Sequence, residues 1–342
     1  VNELAADYLL FLAKTVTAVV AFVLALAGTL AVLQAARRGR PGASVQIEHM
    51  NQHYREQADQ LREAVLDAPA LKALRKRRRK EEKATRKQAD GARARVFVLG
   101  FKGDLQASAV DNLREEITTL LQVAGPQDEV VLKLESEGGM VHGYGLAASQ
   151  LTRVKARGLP LTVAVDKVAA SGGYMMACVA DRIIAAPFAI LGSIGVVAQL
   201  PNFHRWLQRH DVDFELHTAG EYKRTLTLFG ENSDAARAKF REELEETHHL
   251  FQRFVAENRP QLTIAEVATG EHWFGLQALE RKLVDEIRTS DDYLLARSEQ
   301  AELYSLRYHR PRKLAERLSR GLARLGIGLR DGFDSAASRR WT

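Results

Sequence analysis

The chain has 342 residues, 46% apolar and 27% charged, with a formal net charge of +6. That length suits one sizeable packed domain with appendages, and its single cysteine, Cys178, excludes an intrachain disulfide framework and a zinc–cysteine site. The basic charge lies mostly in residues 71–90, where ten Lys/Arg face three Asp/Glu, so the rest of the chain is close to −1 and a nucleic-acid-binding face is excluded.

In chain order, the first feature is TVTAVVAFVLALAGTLAVLQAA at 15–36, an uncharged run of 22 residues. About 20 apolar residues suffice to cross a bilayer as a helix. A cleavable signal peptide has a shorter apolar region and a basic start, whereas Glu3 and Asp7 precede this run. Residues 1–40 are therefore predicted to hold a retained transmembrane anchor, which makes the chain a single-pass protein of the plasma (inner) membrane with the bilayer as a partner. Arg37, Arg38 and Arg40 follow the run, and the positive-inside rule then favours the cytoplasm for the main domain. Residues 41–94 read as a charged helical stalk, with Leu61, Val65 and Leu71 too sparse to form a core. The run RKRRRK at 75–80 suits anionic lipid headgroups, and RNA binding lacks the interleaved aromatics it would need.

From Arg95 to about residue 295 short strands alternate with helices. Strands are predicted at 96–101, 130–136, 161–165, 182–186, 193–199 and 212–218. Helices are predicted at 109–122, 141–156, 168–181, 234–258 and 273–283. Such alternation predicts an α/β fold with a parallel sheet, whose sites gather at the carboxyl ends of strands. The remainder, 296–342, reads as a basic tail, with Leu314, Leu318, Leu322 and Leu325 at helical spacing.

Two glycine-containing turns at strand ends are placed where they can converge on one crevice. Ser171-Gly172-Gly173 places a hydroxyl at the mouth of a helix, and Glu137-Gly138-Gly139 follows the strand at 130–136. A serine nucleophile needs a base and donors for the oxyanion. Ser171 also fits an N-cap with two close-packing glycines, and the second turn also fits a plain tight turn. For the base, His142, His204 and His217 are open, as is Lys223 in TAGEYKRT just beyond 212–218. A lysine acting near neutrality must fall from about 10.4 to roughly 7–8, through desolvation or a neighbouring cation; Arg224 adjoins Lys223.

LESEGGMVHGYGLAASQL, VDKVAASGGYMMACVAD, APFAILGSIGVVAQ, ELHTAGEYKRTLT and VATGEHWFG, in that order, resemble the signal peptide peptidase A superfamily, most closely its SohB-type branch. The resemblance implies a Clp/crotonase-like fold, a Ser–Lys serine endopeptidase and no cofactor or metal. By motif position it implies Ser171 as nucleophile, Lys223 as general base, Gly138 and Gly139 as the oxyanion turn, and Ser193 as the hydroxyl that orients the lysine. It further implies homo-oligomeric rings in which neighbouring protomers complete the active sites. The expected activity is a membrane-anchored cleavage of extended hydrophobic peptides, such as signal-peptide remnants or membrane-protein fragments. The usual family turn is Ser-Pro-Gly-Gly, whereas this chain has Ser136-Glu137-Gly138-Gly139. Glutamate loosens a turn that proline would preset. Acyl-CoA chemistry on the same fold would need acidic catalytic residues and a nucleotide site, neither of which is visible. A non-catalytic scaffold is the remaining alternative.

Overall fold

The computed structural model describes residues 10–23, 26, 44–73, 76–77, 80, 93–220 and 222–309. It divides into two compact units, Val1–Ser44 with His309–Thr342, and Val45–Tyr308. Among the described residues ten strands run in chain order: β1 (Ser44–His49), β2 (Arg95–Lys102), β3 (Glu129–Glu135), β4 (Leu161–Val165), β5 (Val168–Ala170), β6 (Arg182–Ala185), β7 (Ile190–Gly192), β8 (His272–Phe274), β9 (Glu286–Ile287) and β10 (Glu302–His309). Seven form one sheet in the order β1-β10-β2-β3-β4-β6-β9, and three form a second, β5-β7-β8. The architecture is a mixed α/β fold with two sheets.

Alternate residues of β2, β3 and β4 serve opposite faces of the large sheet. Phe97, Leu99, Phe101, Leu132 and Val163 join the main core, while Val96, Val98, Val131 and Ala164 join a smaller one with Tyr293 and Leu294. A parallel sheet needs both faces covered, which explains near-continuous apolar strands such as VVLKLE. Helices Val110–Val123 and Val141–Ala156 cover the main face, each with its apolar residues at helical spacing. The second sheet branches from the first where β3 ends: Ser136 N–H donates to Val168 O, and Ala170 N–H to Ser136 O. This branch brings the turn after β3 against the turn after β5.

The expected anchor is corrected. Among the described residues no helix is long and apolar enough to cross a membrane. Residues 24–25 and 27–36 of the expected span lie outside the described residues. The transmembrane helix, the membrane-anchored enzyme and the single-pass inner-membrane placement therefore do not stand.

The helical stalk is corrected as well. Residues 44–65 form β1 and helix Met50–Val65, which join the larger unit. Asn51, 3% exposed, donates to Ser298 O and Ala301 O and accepts from Leu303 N–H. His49 meets Glu302 at 2.6 Å. A buried asparagine with three backbone partners replaces the apolar stripe the sequence lacks. Half of the 75–80 run, and the tail from 310 onward, lie outside the described residues.

Smaller differences follow from local geometry. Residues 168–181 hold β5 and a short helix, Gly172–Ala177, in place of one long helix. Residues 193–199 form no strand, because positive φ at Gly192 (94°) and Ser193 (50°) turns the chain out of β7. Residues 212–218 alternate as a strand does, yet no described strand lies beside them. The helix expected at 273–283 is β8 followed by helix Gly275–Glu280. Helix Ser290–Ser298 and β10 run on past residue 295, and β10 pairs with β2 inside the sheet.

Candidate active site

Ser171 sits between β5 and helix Gly172–Ala177 with φ 52° and ψ −119°, a conformation costing a non-glycine residue roughly 1–3 kcal/mol. Its surroundings hold it there. Ser171 N–H donates to Gly192 O at 2.8 Å, and its own carbonyl accepts from Met175 N–H at 2.9 Å. The helix behind it is buried through Gly172–Ala177. Cys178, at the end of that helix, is buried too, and burial pushes its thiol up to about 12, so it stays a protonated, inert packing group.

The glycines are required by close approach. A Cβ on Gly173 would lie 2.5 Å from Ser136 O, and one on Gly172 would strike the Tyr144 ring. Gly138, at φ 93°, faces Ser171 directly, since its Cβ would fall 2.8 Å from Ser171 Cβ and 2.7 Å from Gly172 N. Gly139 packs on the Leu105 carbonyl in the same way.

A buried relay not foreseen from the sequence supports this junction. Tyr144 Oη donates to Asp104 O at 2.8 Å. Tyr144 Oη can therefore only accept from Ser136 Oγ, 2.5 Å away, and Ser136 Oγ in turn accepts from Gly138 N–H at 3.1 Å. The Gly138 N–H expected as an oxyanion donor is thus engaged by Ser136. Gly172 N–H, at the first turn of its helix, has no backbone acceptor among the described residues. The available signals were Ser136 at the turn and Tyr144 eight residues on, but their contact depends on how the turn closes.

Ser171, Gly138, Gly139 and Ser193 line one cavity of about 850 Å³. Ser193 also holds a positive φ, 50°, fixed by its N–H on Glu271 O. Val141, Met175, Val196, Val197, Leu250 and Phe254 give it an apolar stretch of wall, and Glu137, Ser149 and Thr247 also line it. Lys223 is not among the lining residues; it is exposed on the loop after Gly220, to whose carbonyl its backbone N–H donates. The histidines stand apart too. His142 is exposed, His204 meets Phe229 O, and exposed His217 pairs with Glu215 at 3.1 Å. One chain thus gathers the serine, the glycine turn and Ser193, and leaves the lysine outside.

Known proteins match along nearly the whole chain. The family model for the peptidase family S49 N-terminal region matches residues 3–151, and that for peptidase family S49 matches 153–304. The probable protease SohB of Haemophilus influenzae is 45% identical over 349 residues, 99% of this chain and 98% of that protein. The probable protease SohB of Buchnera aphidicola from Acyrthosiphon pisum is 58% identical over 225 residues, 66% of this chain and 67% of the relative. That of Buchnera aphidicola from Schlechtendalia chinensis is 60% identical over 202 residues, 59% and 66%. Matched in both halves by one family and along almost all of a SohB relative, the chain belongs to peptidase family S49 and is a serine-type endopeptidase.

Proposed function

We propose that the chain cleaves extended apolar peptide segments through an acyl-enzyme on Ser171, with Lys223 supplied as general base by a neighbouring copy. The observation that carries this reading is a shortage within the single chain. Among the described residues, the only ionisable side chain lining the Ser171 cavity is Glu137, and an exposed carboxylate is too weak a base to activate a serine hydroxyl. Lys223 belongs to a stretch in which Phe203, Trp206, Phe214 and Tyr222 are 42–57% exposed. Exposed apolar side chains at this density are what an interface covers. Docking a second copy there strips water from the amine and favours its neutral, proton-accepting form.

In the reaction, Ser171 Oγ bonds to the substrate carbonyl carbon as its proton passes to the amine. The C–N bond then breaks, and the leaving nitrogen takes that proton. Water adds to the ester with the same amine as base, releasing the acid and restoring the hydroxyl. The oxyanion falls to Gly138 N–H, which must share or leave Ser136 Oγ, and to the unpartnered Gly172 N–H. Ser193, in the same cavity, orients the amine. The N–H groups of Val196 and Val197 have no partner among the described residues, so they offer an edge to an extended chain.

The test is complementation. Ser171→Ala and Lys223→Ala should each be inactive, and mixing them should restore activity at up to about a quarter of sites, those pairing an intact serine with a neighbour's lysine. Cleavage by Ser171→Ala would remove the nucleophile assignment. A mixture as inactive as its parents would remove the shared site.

A further inference from the structure

The turn carrying Gly138 separates two cavities. One is the crevice of Ser171. The other, of about 370 Å³, is lined by Lys102, Asp104, Glu135 and Glu137. Glu137 and Leu105 border both, so they mark the passage from the apolar crevice to a charged recess.

The charges in that recess are unequally satisfied. Glu135 accepts from Lys102 at 2.9 Å and from Lys167 at 3.3 Å, contacts that hold its carboxyl below the ordinary range. Asp104 accepts from the Ser108 N–H and hydroxyl, which lower its carboxyl as well. Glu137, by contrast, makes no hydrogen bond or ion pair among the described residues. Three carboxylates against Lys102 and Lys167 leave one net negative charge, and the carboxylate without a partner stands at the passage.

We infer that Glu137 is a specificity residue, selecting apolar segments that carry a lysine or arginine next to the stretch held in the crevice. The inference rests on the reading of that crevice as the substrate cleft. A long basic side chain suits the geometry: its methylenes run along Leu105, 68% exposed, while its cationic head reaches the carboxylate. An ion pair at an exposed site is worth at most about fivefold in kcat/KM, and salt weakens it.

The experiment uses peptides sharing one apolar run and differing at a single flanking position, which carries Lys or Gln and is moved along both sides of the cleaved bond. At one flanking position the wild type should show a Lys-to-Gln ratio in kcat/KM of about fivefold at low ionic strength. High salt should shrink that ratio. It should fall to near one in Glu137→Gln and below one in Glu137→Lys. Each variant is its own reference, so a general change in turnover does not count. The same ratio in wild type and Glu137→Gln, or no preference in wild type at any position, overturns the inference. Failure of the underlying reading looks different: the Gln peptide would survive wild type as it survives Ser171→Ala. In that event the Lys-to-Gln binding ratio of Ser171→Ala, read by fluorescence anisotropy with and without Glu137→Gln, still decides the matter.

Discussion

The turns around Ser171 and the stretch from 197 to 230 differ in how far their backbones are determined. Around Ser171, glycines touch backbone atoms on three sides, the relay from Gly138 through Ser136 and Tyr144 to Asp104 is closed, and a strained serine is held by hydrogen bonds on both flanks. From 197 to 230 the only regular element among the described residues is helix His204–Arg209, and its residues include no buried one. Apolar side chains are present in both regions, but in the second they face outward. The nucleophile end is fixed by contacts within one chain, whereas the side chains of the lysine end are left exposed.

Two glycines with nearly the same positive φ measure that difference most sharply. Gly138 and Gly220 have φ 93° and 98°, so alanine pays a similar conformational cost of about 1–2 kcal/mol at each. At Gly138 the new Cβ also meets Gly172 N at 2.7 Å and Ala170 O at 2.9 Å, whereas at Gly220 its nearest neighbour is Lys223 Cβ at 3.9 Å. Overpacking adds about 1–3 kcal/mol in the first case. Gly138→Ala should therefore lose roughly 2–5 kcal/mol in urea unfolding and all peptide cleavage. Gly220→Ala should lose no more than about 2 kcal/mol. Equal losses would mean that the Ser171 junction is no tighter than the outer loop.

A second measure is charge buried in the ordered region. Glu116, 5% exposed, accepts from Tyr308 N–H through Oε1, while its Oε2 has no partner. Burial lifts its carboxyl from 4.5 to about 7. The folded state therefore binds a proton that the unfolded chain releases. The resulting stability is fully present below pH 4.5 and is lost as pH rises through about 7. Linkage puts that loss at about 3 kcal/mol. Thermal melts of wild type should fall across this window relative to Glu116→Gln, which cannot titrate; parallel curves would place the carboxylate in water.

The relay gives a smaller effect. Tyr144→Phe leaves buried Ser136 Oγ without its acceptor, which costs about 1–3 kcal/mol, and it loosens the turn that carries Gly138. Urea unfolding should register the loss, and kcat should fall more than KM changes. An unchanged kcat would show that the turn keeps its place without the tyrosine.

What the sequence disclosed tracks this same division. The strands at 129–135 and 161–165 and the helix at 141–156 were legible because burial on both faces, or on one stripe, writes itself as apolar spacing. Ser171-Gly172-Gly173 and Glu137-Gly138-Gly139 were legible as turns at strand ends. The relay was not, because Ser136 and Tyr144 meet only once the turn has closed. Asn51 was missed because one asparagine with three backbone partners leaves no periodic trace. The expected strand at 193–199 failed because the chain turns at Gly192 and Ser193, and the alternating stretch at 212–218 pairs with no strand among the described residues. An apolar pattern does not record what covers a surface, and the assignment of Lys223 accordingly rests on its motif and not on its contacts.

The smallest effect on stability tests that last point. Trp206 is 57% exposed and its ring meets that of His210 at a tilt of 33°, with centroids 4.2 Å apart. Replacing it with arginine removes little that the isolated chain buries, so urea unfolding should move by no more than about 0.5 kcal/mol. On the proposed reading the same change places a charge in the docking face, and buried aromatic anchors carry much of an interface's affinity. Specific activity of Trp206→Arg should therefore fall steeply on dilution, at concentrations where wild type holds constant, with sedimentation shifting towards single chains in step. If activity and sedimentation both follow wild type on dilution, Trp206 lies outside any contact between copies. If sedimentation shifts while activity per chain holds, the single chain already contains its base and the lysine need not come from a neighbour.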